Sequence, residues 1–355
     1  MKIGIIGLPQ SGKKTLFKTL TQIETLPVVK AGEAMMGMAA LRDSRFDKLV
    51  DMYAPEKIAP AKITYAVLPK LEKETLREGK IFIQISDVDV VCLVVSDFHD
   101  ESIYHVDGSI DAKRDIANIS SELILHDLLF VEKRTQRLKL NLKKIKNKTE
   151  QNELELMEKM KICLEEDKPL RSMTIDEESR VLISGYPLIT FKEMIVVLNT
   201  DDARSHDNKE EEHKALCESL LVDLMPISAQ IESEIASLDS VQEQQEFLEE
   251  LGITEPAIER FTLLCLKKLG YISFFTVGKD EVRQWLLRNG SLAPQAAGVI
   301  HSDLERGFIR AELMKYDELM QYKTEAALKD VGKQHLKGKD YLVCDGDIMN
   351  ILFKV

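Results

Sequence analysis

Residues 7–15, GLPQSGKKT, hold the residue types and spacing best suited to chemistry in this chain. They follow G-x-x-x-x-G-K-[ST] through Lys13 and then place Lys14 where the pattern has Ser or Thr. An apolar run at 3–6 precedes them and a helix-compatible stretch at 16–21 follows. Strand, glycine loop and helix in that order are the setting a phosphate-binding loop requires. Gly7 and Gly12 let the backbone turn with its N–H groups facing inward. Those groups and the helix N-terminus make an anion site, and Lys13 reaches the terminal phosphates. Pro9, Gln10, Ser11, Gly12, Lys13, Lys14 and Thr15 are therefore the candidate phosphate-side residues. A ligand-free strand-to-helix turn would match the bare pattern too; the elements on both sides favour the phosphate site.

Lys14 changes the chemistry. The hydroxyl at that position normally holds Mg²⁺ between the β- and γ-phosphates. An ammonium cannot ligate a metal, but it supplies positive charge directly. The loop is expected to hold phosphates through two lysines with little or no Mg²⁺. Thr15 is placed to hydrogen-bond a phosphate from the first helical turn.

The elements that must position this loop belong to a chain of 355 residues, long enough for two or three domains. No run of about 18 apolar residues occurs, so nothing reads as a membrane span. The chain runs directly into a strand, with no signal-peptide pattern. Cys92, Cys163, Cys217, Cys265 and Cys344 are scattered, without C-x-x-C spacing, so neither a zinc site nor a disulfide framework is indicated and a cytoplasmic setting is the simplest reading. The net charge of −12 argues against a surface that coats nucleic acid, while a local basic face stays open.

Val/Ile/Leu-rich runs recur at 2–6, 62–67, 90–96, 194–198 and 224–227, several apolar at successive positions. That is how strands of a parallel sheet covered on both faces read. With helical stretches between them, the pattern predicts an α/β, doubly wound P-loop domain, with ligands beyond the carboxyl ends of the strands, where residues 7–15, Asn199 and Ser228 fall. From 119 to about 167 the pattern turns long and helical. Ile124, Leu128, Val131, Thr135, Leu138, Leu142 and Ile145 make a heptad stripe, 147–149 break it, and Leu156, Met160 and Cys163 return. This predicts an antiparallel helical hairpin inserted in the sheet domain. Its outgoing arm is basic (Lys133, Arg134, Arg137, Lys139, Lys143, Lys144, Lys146, Lys148) and its return acidic (Glu150, Glu153, Glu155, Glu158, Glu165, Glu166, Asp167). Either the arms neutralise each other, or the basic arm faces RNA or a ribosome. Residues 205–213 read as a loop or helix start and 258–269 as a closing helix. Beyond Gly270 come short segments at 273–277, 308–313, 341–343 and 351–355, and a helical reading of 282–288 with Trp285 in the core. The expected domains are 1–118 and 185–270 for the sheet, 119–184 for the hairpin and 271–355 for a small α+β module. His105 and His301 read as structural hydrogen-bonders.

Residues 274–276 (FFT), 293–300 (APQAAGVI), 301–311 (HSDLERGFIRA), 338–341 (GKDY) and 345–347 (DGD), with Gly7-Leu8-Pro9 at the loop, resemble the YchF/Obg-like ATPases over nearly the whole chain. The resemblance implies a P-loop domain of the translation-factor type, a coiled-coil insertion and a C-terminal TGS domain with a β-grasp, ubiquitin-like fold. It implies a purine nucleotide, ATP or GTP, as ligand, and a ribosome or RNA met through the hairpin and TGS domain. Asn199-Thr200-Asp201-Asp202 occupies the place of the family's N-x-x-E: Asn199 would brace the loops, Thr200 would lie beside the base and Asp202 would read it. An aspartate there can accept two N–H bonds from guanine, which leaves ATP against GTP open. Ser228-Ala229-Gln230 resembles the S-A-K loop that closes over the base.

The same resemblance exposes departures. Where the family carries D-x-x-G, this chain has Ala66-Val67-Leu68-Pro69. The second-shell carboxylate and the γ-phosphate glycine are both gone, and Pro69 has no N–H to donate. Residues 31–40 contain no Thr to complete a Mg²⁺ shell. The sequence thus leaves Mg²⁺ an open cofactor with few residues to hold it, and predicts a nucleotide-binding protein whose hydrolysis is slow or lost. Two alternatives stay open: a pseudo-NTPase scaffold that binds RNA or protein through the hairpin and TGS domain, and an active ATPase using Lys14 in place of the metal.

Overall fold

The computed structural model describes residues 1–354 except 24, 31, 73–74, 76–78, 99–104, 106–107, 146, 202–208 and 239. The strands in chain order are β1 Lys2–Ile6, β2 Met35–Ala40, β3 Lys57–Ala59, β4 Lys62–Val67, β5 Val90–Asp97, β6 Glu193–Thr200, β7 Asp223–Ile227, β8 Tyr271–Thr276, β9 Glu281–Arg288, β10 Phe308–Lys315, β11 His335–Lys337 and β12 Asp347–Phe353. The helices used below are α1 Lys13–Thr21, α2 Ser44–Tyr53, α3 Lys80–Ser86, α4 Ala112–Leu142, α5 Lys148–Glu165, α6 Glu177–Ile183, α7 Lys209–Ser219, α8 Ala229–Ser237, α9 Val241–Leu251, α10 Ala257–Lys268 and α11 Ala293–Ile300. The chain forms two compact units, one of Met1–Ala39 with Thr64–Ile258, the other of Ala40–Ile63 with Glu259–Val355.

In the first unit the sheet order is β2-β4-β1-β5-β6-β7, with β4, β1, β5, β6 and β7 parallel. The chain moves outward in both directions from the β1/β5 pair, so the switch point of this doubly wound sheet lies directly beyond Ile6. The apolar run of β5 is buried almost throughout, as a strand between two parallel neighbours must be. β7 carries Pro226, exposed, at the sheet edge, where a missing ladder N–H is tolerated. Register aligns Ile6 with Leu93, Ser96 with Asn199 and Asn199 with Ile227, so the residues following β1, β5, β6 and β7 emerge together.

The predicted hairpin is present, and its first helix is longer than the sequence pattern suggests. α4 begins at Ala112, where Asp111 accepts a hydrogen bond from Arg114 N, rather than at residue 119. Its first half belongs to the sheet core through Ile116, Ile119 and Leu123. Its second half buries Val131 and Leu138 against Leu156, Met157, Met160 and Leu164 of α5. Asn147 caps α5 through Thr149 N, which is why the stripe breaks there; Ile145, predicted on that stripe, lies past the end of α4 and is exposed. Arg134 forks onto Glu153 at 2.6 and 2.9 Å, Lys139 meets Glu158 at 2.7 Å and Lys161 meets Glu132 at 2.7 Å. The fully buried Asp127 accepts from Ile189 N, Thr190 N and Thr190 Oγ1, tying α4 to the approach of β6.

The second unit is a mixed sheet in the order β11-β10-β12-β8-β9-β3. β8 and β9 form an antiparallel pair and β12 joins β8 in parallel, with α11 packed on one face through Ala293, Ala296 and Ala297, a β-grasp arrangement. The helical reading of 282–288 is corrected: this is β9. Val282, Gln284 and Leu287 are buried, and the ladder to aromatic-rich β8 outweighs the local helix propensity. Trp285 is half-buried and donates through Nε1 to Thr276 Oγ1 at 3.0 Å. Residues 341–343 make one isolated bridge, Leu342 to Leu292, rather than a strand. Residues 40–63, which the linear reading leaves inside 1–118, pack with this unit: Phe46 and Leu49 of α2 sit among Phe275, Val282 and Ile348, and β3 pairs with β9.

Candidate functional site

Pro9, Gln10, Ser11, Gly12, Lys13, Lys14, Thr15, Asn199, Thr200, Ala229 and Gln230 all line one cavity of about 1100 Å³ in the first unit. Ser228 lies behind its wall, buried, capping α8 by accepting from Ile231 N at 3.3 Å. Asp202 lies outside the described residues. The sequence did not single out Val29, Lys30, Gly32, Glu33, Met35 and Phe98, which also line the cavity. Phe98 was findable, because it directly follows β5 at the carboxyl edge that also delivers Asn199.

The loop is held by geometry that only particular residues permit. Gly7 has φ +149°, and a Cβ there would collide with the Val94 carbonyl. Gly12 has φ +91° and caps α1, and a Cβ there would run into the Asn199 side chain. Asn199 is the brace. Its Nδ2 donates to Ser11 O at 3.2 Å, and its Oδ1 accepts from Ala229 N at 3.0 Å. One buried amide thus fastens the loop after β1 to the loop after β7. Ser11 Oγ is buried and, among the described residues, has no hydrogen-bond partner.

Lys13, buried at the start of α1, donates to Gly7 O at 2.8 Å and to Leu8 O. Burial, with Lys70 and Lys14 nearby and only Glu72 opposing them, brings its pKa down to about 7. Lys14 and Thr15 are exposed on the cavity wall. Opposite the loop, Val67, Leu68, Pro69, Lys70, Glu72 and Thr75 line the cavity. Ala66 is fully buried in the apolar core.

The donor set suits a polyanion: the N-terminus of α1, the buried Ser11 hydroxyl and several lysines on one cavity. It does not fit a protein-held divalent cation. Lys14, Ala66 and Pro69 provide no oxygen side chain, and among the described residues no cluster of His, Cys, Asp or Glu has metal-holding geometry. The structural histidines are as read from sequence. His105 Nε2 pairs with Asp115 Oδ2 at 2.8 Å, and His301 Nδ1 accepts from Asp303 N at 3.2 Å.

A parallel sheet with a glycine loop at its switch point, opening the first helix and braced by an asparagine from β6, defines a P-loop NTPase fold, here joined to a C-terminal domain. Comparison with known proteins narrows this. The chain is 37% identical over 364 residues to the ribosome-binding ATPase YchF of Bacillus subtilis, spanning 99% of each chain. It is 37% identical to the protein of the same name from Pasteurella multocida, over 100% of this chain and 99% of that one. The solved Schizosaccharomyces pombe YchF GTPase superposes with a TM-score of 0.81 at 29% identity, covering 99% of this chain and 97% of that one. The family model YchF-GTPase_C, described as a protein of unknown function (DUF933), matches residues 271–354. The chain belongs to the YchF family.

Proposed function

We propose that this chain binds ATP or GTP in the 1100 Å³ cavity, hydrolyses it slowly or not at all, and acts in the cytoplasm at or near the ribosome. The observation that carries the reading is the Asn199 brace, which holds residues 11 and 229 in one cradle beside the unpartnered Ser11 hydroxyl. Pro9 to Thr15 take the phosphates. Asn199, Thr200, Asp202 and Ser228 to Gln230 take the base. Slow hydrolysis follows from the joint loss at Lys14, Ala66 and Pro69, because metal bridging of the β- and γ-oxygens is the main electrostatic help in such transfer. Ribosome association is supported by the names of the relatives. It would use residues 119–184 as a coiled-coil arm and 271–355 as a TGS module. Lys133, Arg137, Lys143 and Lys144 are exposed for such contact, although the ion pairs of Arg134 and Lys139 neutralise part of the arm.

Calorimetric titration with ATP, GTP, ADP and GDP, each with and without Mg²⁺, tests the reading. Micromolar binding of one purine series with little turnover supports it, and indifference to all four sinks it. A second reading, a scaffold with a vestigial loop, is favoured by one observation: the Lys13 ammonium is already engaged by Gly7 O and Leu8 O. Lys13→Ala separates the two. A scaffold keeps its partner binding and the parent shows no nucleotide-induced thermal shift.

A further inference from the structure

We propose that Lys70 is a third phosphate-binding cation of this cavity and that, with Lys13 and Lys14, it makes the metal-free nucleoside triphosphate the preferred ligand over its Mg²⁺ complex. This rests on the nucleotide reading above and names which ionic form of the ligand the site takes.

The segment after β4 is clamped so that Lys70 faces the loop. Leu68 N donates to Ile5 O at 3.0 Å, extending the strand pairing past β4. Leu71 N donates at 3.4 Å to Gly7 O, the carbonyl that also accepts from Lys13 Nζ at 2.8 Å. Leu71 itself is buried, anchoring the segment from below. On the other side, the Thr75 hydroxyl donates to Lys70 O at 2.6 Å and accepts from Glu72 N at 3.0 Å. Lys70 is thus fixed through its backbone while its side chain lies exposed on the cavity wall. Among the described residues its ion-pair partner is Glu72, 3.8 Å away, a separation looser than a hydrogen bond.

Charge then decides between ligand forms. Lys70 and Lys14 both act on Lys13 with Glu72 opposing them, and Lys30, Glu33 and Asp201 also line the cavity, so among the described lining residues four ammonium groups stand with three carboxylates. A polyphosphate stripped of metal carries the most negative charge and fits that excess best. Mg²⁺ would cancel part of the ligand charge and add its own cation beside these lysines. The hydroxyl ligand and the supporting carboxylate that normally repay its entry are absent at Lys14 and Ala66. Metal and lysines would compete for the same phosphate oxygens.

The test is calorimetric titration of the full chain with ATP in excess EDTA and again in excess Mg²⁺, for the parent, Lys70→Gln and Glu72→Gln. The parent is expected to bind ATP severalfold more tightly in EDTA. Lys70→Gln should lower affinity in EDTA by about tenfold, the effect of one charge-assisted contact, and erase the EDTA preference. Glu72→Gln, which removes the competing carboxylate while keeping shape, should raise affinity. Binding strengthened by Mg²⁺, or a Lys70→Gln variant that titrates like the parent, overturns this proposal while leaving nucleotide binding standing. A parent that binds no purine nucleotide under either condition overturns the nucleotide reading itself.

Discussion

The two walls of the cavity are built in different ways. On the loop wall, Gly7 and Gly12 hold backbone conformations closed to other residues, and Asn199 fastens Ser11 to Ala229. On the facing wall, Ala66 has withdrawn into the apolar core, Pro69 offers no N–H, and Lys70 stands on the surface. The first wall works through backbone, which is set by glycines and one amide. The second works through side chains, which can be exchanged without disturbing the sheet behind them. On the reading proposed above, grip on a polyanion and assembly of a metal-dependent reaction centre are separable, the first resting on the loop wall and the second on the facing one.

The largest effect that would break this contrast is expected at Gly12→Ala. The new Cβ meets Asn199 and the φ of +91° strains any L side chain, so denaturant unfolding should show a loss of about 2–3 kcal/mol, and nucleotide-induced stabilisation should vanish. A variant that melts like the parent would mean the loop wall is not rigid. Asn199→Ala comes next. It strands the Ser11 carbonyl and the Ala229 N–H together, at about 1–3 kcal/mol for the buried groups left unpaired, and should weaken ATP binding in step.

A pH effect sharpens the comparison further. In the ligand-free protein Lys13 titrates near 7, below the ordinary lysine range, mainly because it is buried. Over the pH window from about 7 up to that ordinary range, the unfolded chain binds more protons at this residue than the folded one, so raising pH stabilises the ligand-free fold through Lys13. A bound polyanion restores the ammonium, so nucleotide affinity should fall as pH rises above about 7. Calorimetry at pH 8 in two buffers of different ionisation enthalpy should report proton uptake on binding; release, or no proton at all, would contradict the assignment. The smallest effect is expected on the facing wall. Pro69→Gly restores an N–H and frees the unfolded chain, costing about 0.4–1 kcal/mol of stability. It should change ATP affinity by less than about tenfold, the range of one neutral hydrogen bond of about 0.5–1.5 kcal/mol. A larger gain would show that the missing donor, not the missing metal, limits this wall.

Much of the cavity was legible because its signals are local. The glycine loop is a contiguous pattern, and Asn199 and Ser228 each end an apolar strand. What escaped was what depends on neighbours distant in sequence. Phe98 and Met35 carry no pattern of their own; Phe98 reaches the cavity because parallel register brings the ends of β5 and β6 level, and Met35 because it opens β2 in the same sheet. Residues 282–288 misled because a strand pairing with β8 decides their state, and no local propensity records that partner.

By itself the sequence determined the glycine-loop pattern with Lys14 in place of Ser or Thr, the parallel sheet and the hairpin stripe. Each is set by residue type at a fixed spacing. Only the tertiary structure decided that residues 40–63 join the C-terminal sheet, that Asn199 ties two loops with one amide, and that Leu71 N and Lys13 Nζ share the Gly7 carbonyl. Those depend on hydrogen bonds and burial between segments far apart in the chain, which form only once the strands are paired.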